Sequence, residues 1–326
     1  MIITDFSRPI TLGSGHILTE RIVLSPMQGV MSPCFADTLR SLNLAKVLIT
    51  PFFSVSARSV PSPHALKKML APWPLLPGHT VIVQLMGRDP DSLAETAVRL
   101  GEAGFSFVNL NFACPSPCVV RAGHGGAILR DPPLLSRLMT RTARAAEEHG
   151  LSLSVKMRTG WASPAETAEL AKRVADSGIR FAVVHYRTVT EMYRPASGSH
   201  ARLRAFREAA GPGVTVFGNG DITSPDDAQA MCRETGCPGA ALARGIMKDP
   251  FLIRRIAEGG KASSPEEEEA DRMRFLRELF ARTKESGGKK WRNGFLECVR
   301  MCFEGEPERF HSLVRLSDEE LSEIFS

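Results

Sequence analysis

Three observations predict a (β/α)8 barrel followed by a small helical domain. Short β-branched, apolar runs alternate eight times with amphipathic segments, as a parallel sheet covered by helices requires. A length of 326 residues holds one barrel of about 250 residues plus an appendage. Beyond Ala257 the strand signal stops, and GGKASSPEEEEA leads into long amphipathic helical patterns. Residues 1–257 are therefore expected to form the barrel and 258–326 the helical domain.

The eight runs are 21–27, 46–53, 80–87, 105–111, 153–158, 181–187, 215–221 and 239–244. Helix starts between them are marked by an acceptor side chain followed by proline, which supplies an N-cap and a residue preset for the first helical turn. Asp89-Pro90, Asp131-Pro132, Ser163-Pro164, Ser224-Pro225 and Asp249-Pro250 show this, and Ser163 with Glu166 adds a capping box. Gly104, Gly178 and Gly236 follow periodic stretches where a left-handed residue ends a helix. The stretch 59–78 is expected to be an extended loop with a short helix at 65–70. The acidic run 266–269 after Pro265 suits a helix N-terminus.

Composition is that of an ordinary globular chain, with 43% hydrophobic and 24% charged residues. No signal-peptide pattern opens it and no apolar run reaches the roughly 18 residues of a membrane span, so a cytoplasmic protein without a membrane partner is expected. The seven cysteines show no zinc spacing and are expected to be reduced thiols. Cys298 and Cys302, one helical turn apart, are expected to pack in a core, and no metal site is expected. The net charge of +5 permits an anionic partner. From Phe251 onward there are 14 Lys/Arg against 16 Asp/Glu, so the positive excess lies in the barrel.

In such a barrel the functional groups stand at the C-terminal ends of the strands. Strand one ends Ser25-Pro26-Met27-Gln28-Gly29, strand three carries Gln84, and strand four ends Asn109-Leu110-Asn111-Phe112-Ala113-Cys114. Strand five carries Lys156-Met157-Arg158, six His185-Tyr186-Arg187, seven Asn219-Gly220-Asp221 and eight Ala243-Arg244-Gly245. Each alone has an ordinary explanation, such as a capped loop or an ion pair. Together they place an amide, an ammonium, an imidazole and a guanidinium around one mouth. The last two turns occupy the usual phosphate site of these barrels, where backbone N–H groups and Arg244 can hold a phosphate. A flavin mononucleotide needs such a clamp and a cation near its N1–C2 carbonyl edge, for which Lys156 is the candidate.

The sequence resembles the tRNA-dihydrouridine synthases. SPMQGV, NLNFACPSPCVVRAGHGGAILRDP, VKMRTGW, HYRT followed by EMY, GNGDI and the ARG of strand eight resemble that family's blocks, in its order, from about Leu24 to Pro250. The resemblance implies a barrel holding FMN, NADPH as a transient hydride donor, and tRNA as substrate, with no stable protein partner. It implies Pro26, Met27, Gln84, Lys156, His185, Asn219, Gly220, Asp221, Ala243 and Arg244 as flavin contacts, with Gln28 beside them. It implies Cys114 as general acid. A free thiol has a pKa near ~8.5 and is mostly protonated at neutral pH, so it can give uracil C5 its proton. On burial alone, a cysteine after a core strand reads as inert. The glycine-rich stretch 122–126 is expected to be mobile and to carry Cys114 over a bound base.

For RNA, the candidate contacts are Asn111, Arg121, Arg187, Tyr193 and Arg194, with His200, Arg202, Arg204 and Arg207 in the same basic stretch. Lys289, Lys290 and Arg292 form a second cluster, in the region resembling the family's helical RNA-binding module. The chain departs from the family pattern at Ala113, Pro117 and Tyr186, where a glycine, a basic residue and a glycine are usual. The C-terminal length and the SLVRLSD ending resemble the subgroup acting on tRNA position 16. Alternatives from the same residues are a small-molecule flavin reductase of the dihydroorotate or dihydropyrimidine kind, a catalytically degraded RNA-binding module, and ribosomal instead of transfer RNA.

Overall fold

A computed structural model describes residues 3–57, 60–260, 264–286 and 291–325. A hairpin of β1 (Ile10–Thr11) and β2 (Ile17–Leu18) leads into the first unit, β3 (Ile22–Leu24) and α1 (Pro33–Ser41). Then come β4 (Val47–Ile49), β5 (Phe53–Val55) and α2 (Pro63–Leu70), followed by β6 (Thr80–Gly87) and α3 (Pro90–Glu102). β7 (Phe107–Phe112) is followed by the short α4 (Pro117–Arg121) and by α5 (Pro132–Glu148). β8 (Ser152–Arg158) precedes α6 (Thr167–Asp176), β9 (Phe181–His185) precedes α7 (Ser199–Ala210), and β10 (Thr215–Asn219) precedes α8 (Pro225–Thr235). β11 (Gly239–Leu242), α9 (Gly245–Lys248) and α10 (Leu252–Ala257) complete the barrel, and α11 (Pro265–Glu285), α12 (Trp291–Cys302), α13 (Pro307–Val314) and α14 (Asp318–Phe325) follow it.

All barrel pairings are parallel, and the ring closes because β4 pairs with both β3 and β6. The run 46–53 is one strand interrupted. Its first part pairs Val47 with Thr80 and its continuation, β5, pairs Phe53 with Leu85. Pro51 lacks the N–H a ladder needs, and the side chain of Thr50 stands in by accepting the Gln84 N–H at 3.0 Å.

Side-chain acceptors start the helices as the sequence predicts. Asp89, Asp131 and Ser224 accept from the third residue on, and Ser163 with Glu166 closes a capping box over a 3-10 turn before α6. Asp249 differs, because it accepts from Phe251 and α10 begins one residue later. The same Ser-Pro signal also begins α1, α2 and α11, through Ser32, Ser62 and Ser264. Gly104, Gly178 and Gly236 have φ of 94°, 87° and 73°, so the left-handed turn expected at each is present.

The barrel interior has two levels. The lower one is apolar: Val23, Val47, Ile49, Ile82, Phe181, Val183, Phe217 and Ala241 meet Leu12 and Leu18 of the hairpin, which plugs the bottom. Phe181 and Phe217 pack edge to face at 5.1 Å, an arrangement contributing about 1 kcal/mol beyond its buried area. Gly239 allows this, because a Cβ there would come within 2.5 Å of the Phe217 ring. The upper level is polar and forms the site described below.

The C-terminal helices pack against α1 and α9, and their core is continuous with the outer layer of the barrel. Phe275 meets Phe35 at 5.4 Å, and Arg255 forks between Asp249 of the barrel and Asp271 of α11. Cys298 and Cys302 are buried in this core, and burial pushes the Cys298 thiol up to about 12. All seven cysteines are free thiols. Among the described residues no helix is long and apolar enough to cross a membrane, and no His, Cys, Asp and Glu cluster suits a metal.

Candidate active site

Strand β8 reads Ser-Leu-Ser-Val-Lys-Met-Arg, and its period-two pattern decides which groups face inward. Leu153, Val155 and Met157 join the core beneath the helices, while Lys156 and Arg158 line a cavity of about 800 Å³ at the C-terminal mouth. The cavity also takes Pro26, Met27 and Gln28 after β3, Gln84 from β6, Asn111 and Cys114 from the end of β7, and His185 from β9. Asn219, Gly220 and Asp221 after β10, and Ala243 and Arg244 after β11, complete the convergence. Tyr193 stands at the rim, 55% exposed.

Lys156 is buried, and among the described residues no hydrogen-bond partner meets its ammonium. Burial, reinforced by the charge of Arg158, lowers its pKa to about 7, while Cys114 acts in the opposite direction. Such a buried cation, with no carboxylate in salt-bridge contact among the described residues, is a site for an electron-rich group. His185 is driven well below its ordinary value by burial and then by Arg158, Lys156, Arg187 and Arg244, so the ring is neutral. The Arg187 N–H donates to its Nδ1 at 3.1 Å, which puts the ring proton on Nε2.

Cys114 is held by its backbone. Its N–H and that of Ala113 both donate to Asn111 Oδ1 at 3.0 Å, so the Asn111 side chain, expected to contact RNA, orients the cysteine turn. From the other side, Arg158 donates Nε to the Ala113 carbonyl at 2.9 Å. Its Nη1 reaches the carbonyls of Thr188 and Met192, both at 2.8 Å. Burial holds this guanidinium down to about 10. Arg158 thus ties the cysteine turn to the loop carrying Tyr193, a role its place in VKMR does not reveal.

The stretch 122–126 differs from the mobile loop expected of it. Gly125 and Gly126 are buried in a 3-10 turn, with the Gly126 N–H donating to the Cys114 carbonyl at 3.0 Å. A Cβ on Gly125, where φ is 56°, would come within 3.0 Å of the Cys114 side chain. These glycines allow close packing under Cys114.

Arg187 differs from the RNA contact expected of it. It is 3% exposed, its fork closes on Asp221 with Nη1 at 2.9 Å from Oδ1, and it stacks on Tyr186, so it is no free phosphate contact. The Asp221 carboxylate binds Arg187 and, at 3.3 Å, Arg244, which makes it a bridge between cations. Tyr186 fills the space against Gly220, where a Cβ would overlap its ring, and accepts the Asp221 N–H at 3.3 Å. His200 pairs with Glu234, Arg202 with Glu191, and Arg204 and Arg207 with carbonyls of α8, so this basic stretch is spent within the barrel. Arg292 is bound to Asp318 and to the carbonyls of Val314 and Leu316, joining α12 to α14. Arg194 is exposed beside Tyr193 with one donor on the Thr190 carbonyl, and Arg121 is exposed on α4; neither lines the cavity. Pro117 is exposed at the start of α4, and Ala113 is buried. Lys289 and Lys290 lie outside the described residues.

The sequence places Arg158 at the mouth by its strand but gives it no role, and Phe52, Val119, Lys248, Met301 and Glu304, which also line the cavity, are not singled out by the sequence. Met301 carries no local signal, since it reaches the mouth only because α12 packs on α9.

The Asp221 bridge gives a direct expectation. Asp221→Asn leaves the buried Arg187 without its anion and should destabilise the fold by about 2 kcal/mol, discounted because the carboxylate is half-exposed. The hydrogen bond from Arg187 lowers the Asp221 pKa. Its stabilisation is therefore complete above the unfolded carboxylate range and is lost as the pH falls through the folded value. Urea denaturation at pH 7 and pH 3 should show the mutational cost shrinking in acid.

The family model described as dihydrouridine synthase (Dus) matches residues 23–309. A tRNA-dihydrouridine(16) synthase of Ralstonia nicotianae is 32% identical over 290 residues, covering 85% of this chain and 87% of that one. That of Shigella flexneri is 33% identical over 239 residues, covering 72% and 75%. Among solved structures, a variant of NCR from Zymomonas mobilis superposes with a TM-score of 0.55 at 18% identity, covering 80% of this chain and 93% of that one. A 2-naphthoyl-CoA reductase complex gives 0.59 at 12%, covering 78% and 52%. At these identities the likeness is one of fold.

Proposed function

This chain belongs to the dihydrouridine synthase family, and from that premise we propose that it reduces the C5–C6 double bond of a uridine in tRNA, at position 16, with FMN bound and NADPH as reductant. The observation that carries this reading is Lys156, a buried ammonium facing the cavity with no hydrogen-bond partner among the described residues. An electron-rich flavin edge suits it, and the neutral His185 adds an Nε2–H donor. Gly245 packs against the Ile222 carbonyl, where a Cβ would strike it, and lines the cavity together with Arg244 and Lys248, whose charges suit a phosphate.

A flavin held there would supply hydride to uracil C6. Everything else falls to the chain. Cys114 gives its thiol proton to C5 and recovers one from solvent, so the C5–C6 double bond becomes two C–H bonds. Tyr193, exposed at the rim with Arg244 stacked 4.7 Å from its ring centroid, offers a face to an extruded base. Exposed Arg121, Arg194 and Lys248 supply charge for the RNA backbone. The C-terminal helices, through Met301 and Glu304, shape the mouth and act in RNA recognition, and the protein works in the cytoplasm.

Purified protein should be yellow, release FMN on denaturation, and be bleached anaerobically by NADPH. Transfer RNA lacking dihydrouridine should reoxidise it, with the product at position 16. Colourless protein, or reoxidation by free uracil, orotate or ribosomal RNA but not by tRNA, overturns the reading. Arg244→Ala should weaken flavin binding about 10-fold, as loss of one half-exposed charge-assisted phosphate contact would, and unchanged affinity by fluorescence titration removes Arg244 from the clamp.

A further inference from the structure

Four polar side chains form a single hydrogen-bonded line across β6, β7 and β8, with Gln84 and Asn111 at the cavity floor and Asn109 and Ser154 beneath it. Gln84 is directly opposite Asn109, and Asn109 directly opposite Ser154. Asn109 and Ser154 are buried and do not line the cavity. Asn111 Nδ2 donates to Gln84 Oε1 at 2.8 Å, Gln84 Nε2 to Asn109 Oδ1 at 2.8 Å, and Asn109 Nδ2 to Ser154 Oγ at 2.9 Å. The Ser154 hydroxyl donates to the Val108 carbonyl at 3.0 Å, and at the other end Asn111 Oδ1 accepts the N–H groups of Ala113 and Cys114.

The ends of this line fix its direction. A carbonyl can only accept, so Ser154 must donate to Val108 and take its own hydrogen bond from an amide N–H. Backbone N–H groups can only donate, so Asn111 must turn its oxygen toward Cys114. Both constraints impose the same orientation on Asn109 and Gln84. Reversing any one amide would set two donors or two acceptors against each other in a dry interior, which costs more than the net gain of a single hydrogen bond. The amide groups that Asn111 and Gln84 have left for the cavity are therefore N–H donors.

We propose that Asn109 and Ser154 are positioning residues for the reaction: they hold the polarity of Gln84 and Asn111 and, through Asn111, the turn that aims the Cys114 thiol. Neither residue touches a bound molecule. The proposal rests on the role given to Cys114 above, and its test separates the two.

Three variants read it: Ser154→Ala, Asn109→Leu and Asn109→Asp. The first two break the line. In the third, the buried carboxyl would be protonated, accepting from Gln84 and donating to Ser154, so it preserves the direction and serves as the rescue. Amide hydrogen exchange over residues 107–116, followed by mass spectrometry, should quicken about 10-fold or more in Ser154→Ala and Asn109→Leu and stay near wild type in Asn109→Asp. Exchange elsewhere in the barrel should be unchanged. Flavin reoxidation by saturating tRNA should slow about 10-fold in the breaking variants with KM unchanged, and reduction by NADPH should keep its rate. Unchanged exchange at 107–116 in Ser154→Ala overturns the proposal. So does faster exchange throughout the barrel with equal loss of both half-reactions, or an Asn109→Asp variant as impaired as Asn109→Leu. Should Asn109→Leu fail to fold, Ser154→Ala alone decides. If wild-type protein reduces no uridine, the reading of the site fails while the exchange measurement still tests the line.

Discussion

Cys114→Ala is expected to fold, bind flavin and accept reducing equivalents from NADPH, yet to reduce uridine at least ~10²-fold more slowly. The change removes one sulfur atom from a half-buried position. The hydrogen bonds that fix this turn, to Asn111 and Arg158, use the backbone of residues 113 and 114 and survive it. Stability should therefore change by no more than about 1 kcal/mol. With Lys156, His185 and Gln84 in place, the reductive half-reaction has no reason to slow. Anaerobic stopped-flow separates the halves, since bleaching by NADPH reports the first and return of colour on mixing with tRNA reports the second. A variant that recovers its colour at the wild-type rate removes Cys114 from proton transfer.

The sequence made the barrel legible because each strand, helix start and left-handed turn is a local event. The polar floor was partly legible for the same reason. In a strand buried on both faces, Ser152, Ser154, Lys156 and Arg158 at period two mark a face that cannot be packing core. What the sequence could not show is whether a cation is free. Arg187 and Arg194 look alike in HYRTVTEMYR, yet the first is locked to a carboxylate 34 positions later and the second is exposed. The basic stretch of α7 read as an RNA surface until α8 supplied its acceptors. Met301 and Glu304 depend on docking of a helix whose partner is far away in the chain. Long-range pairing decides all these cases, and a pattern read along one segment does not contain it.

Lys156→Met is expected to act in opposite directions on the flavin-free fold and on cofactor binding. The buried ammonium has a pKa of about 7, against 10.5 for the free side chain. Below pH 7 both folded and unfolded chains carry the proton, and the folded state bears the full cost of the buried charge. Between pH 7 and 10.5 the unfolded chain binds more protons than the folded one, so stability rises with pH, and above that window the penalty is gone. Replacement by the uncharged methionine should therefore stabilise the flavin-free protein by on the order of 3 kcal/mol at pH 6, with the gain fading toward pH 10.5. Flavin affinity should move the other way, falling at least ~10-fold, because the cation that suits an electron-rich ring is lost. Guanidinium denaturation of flavin-free wild type and variant at pH 6 and pH 10 measures the first effect, and flavin titration at pH 7.5 the second. An equal stability gain at both pH values would show that the ammonium is not what strains the empty cavity. Undiminished flavin binding would show that its charge serves something else.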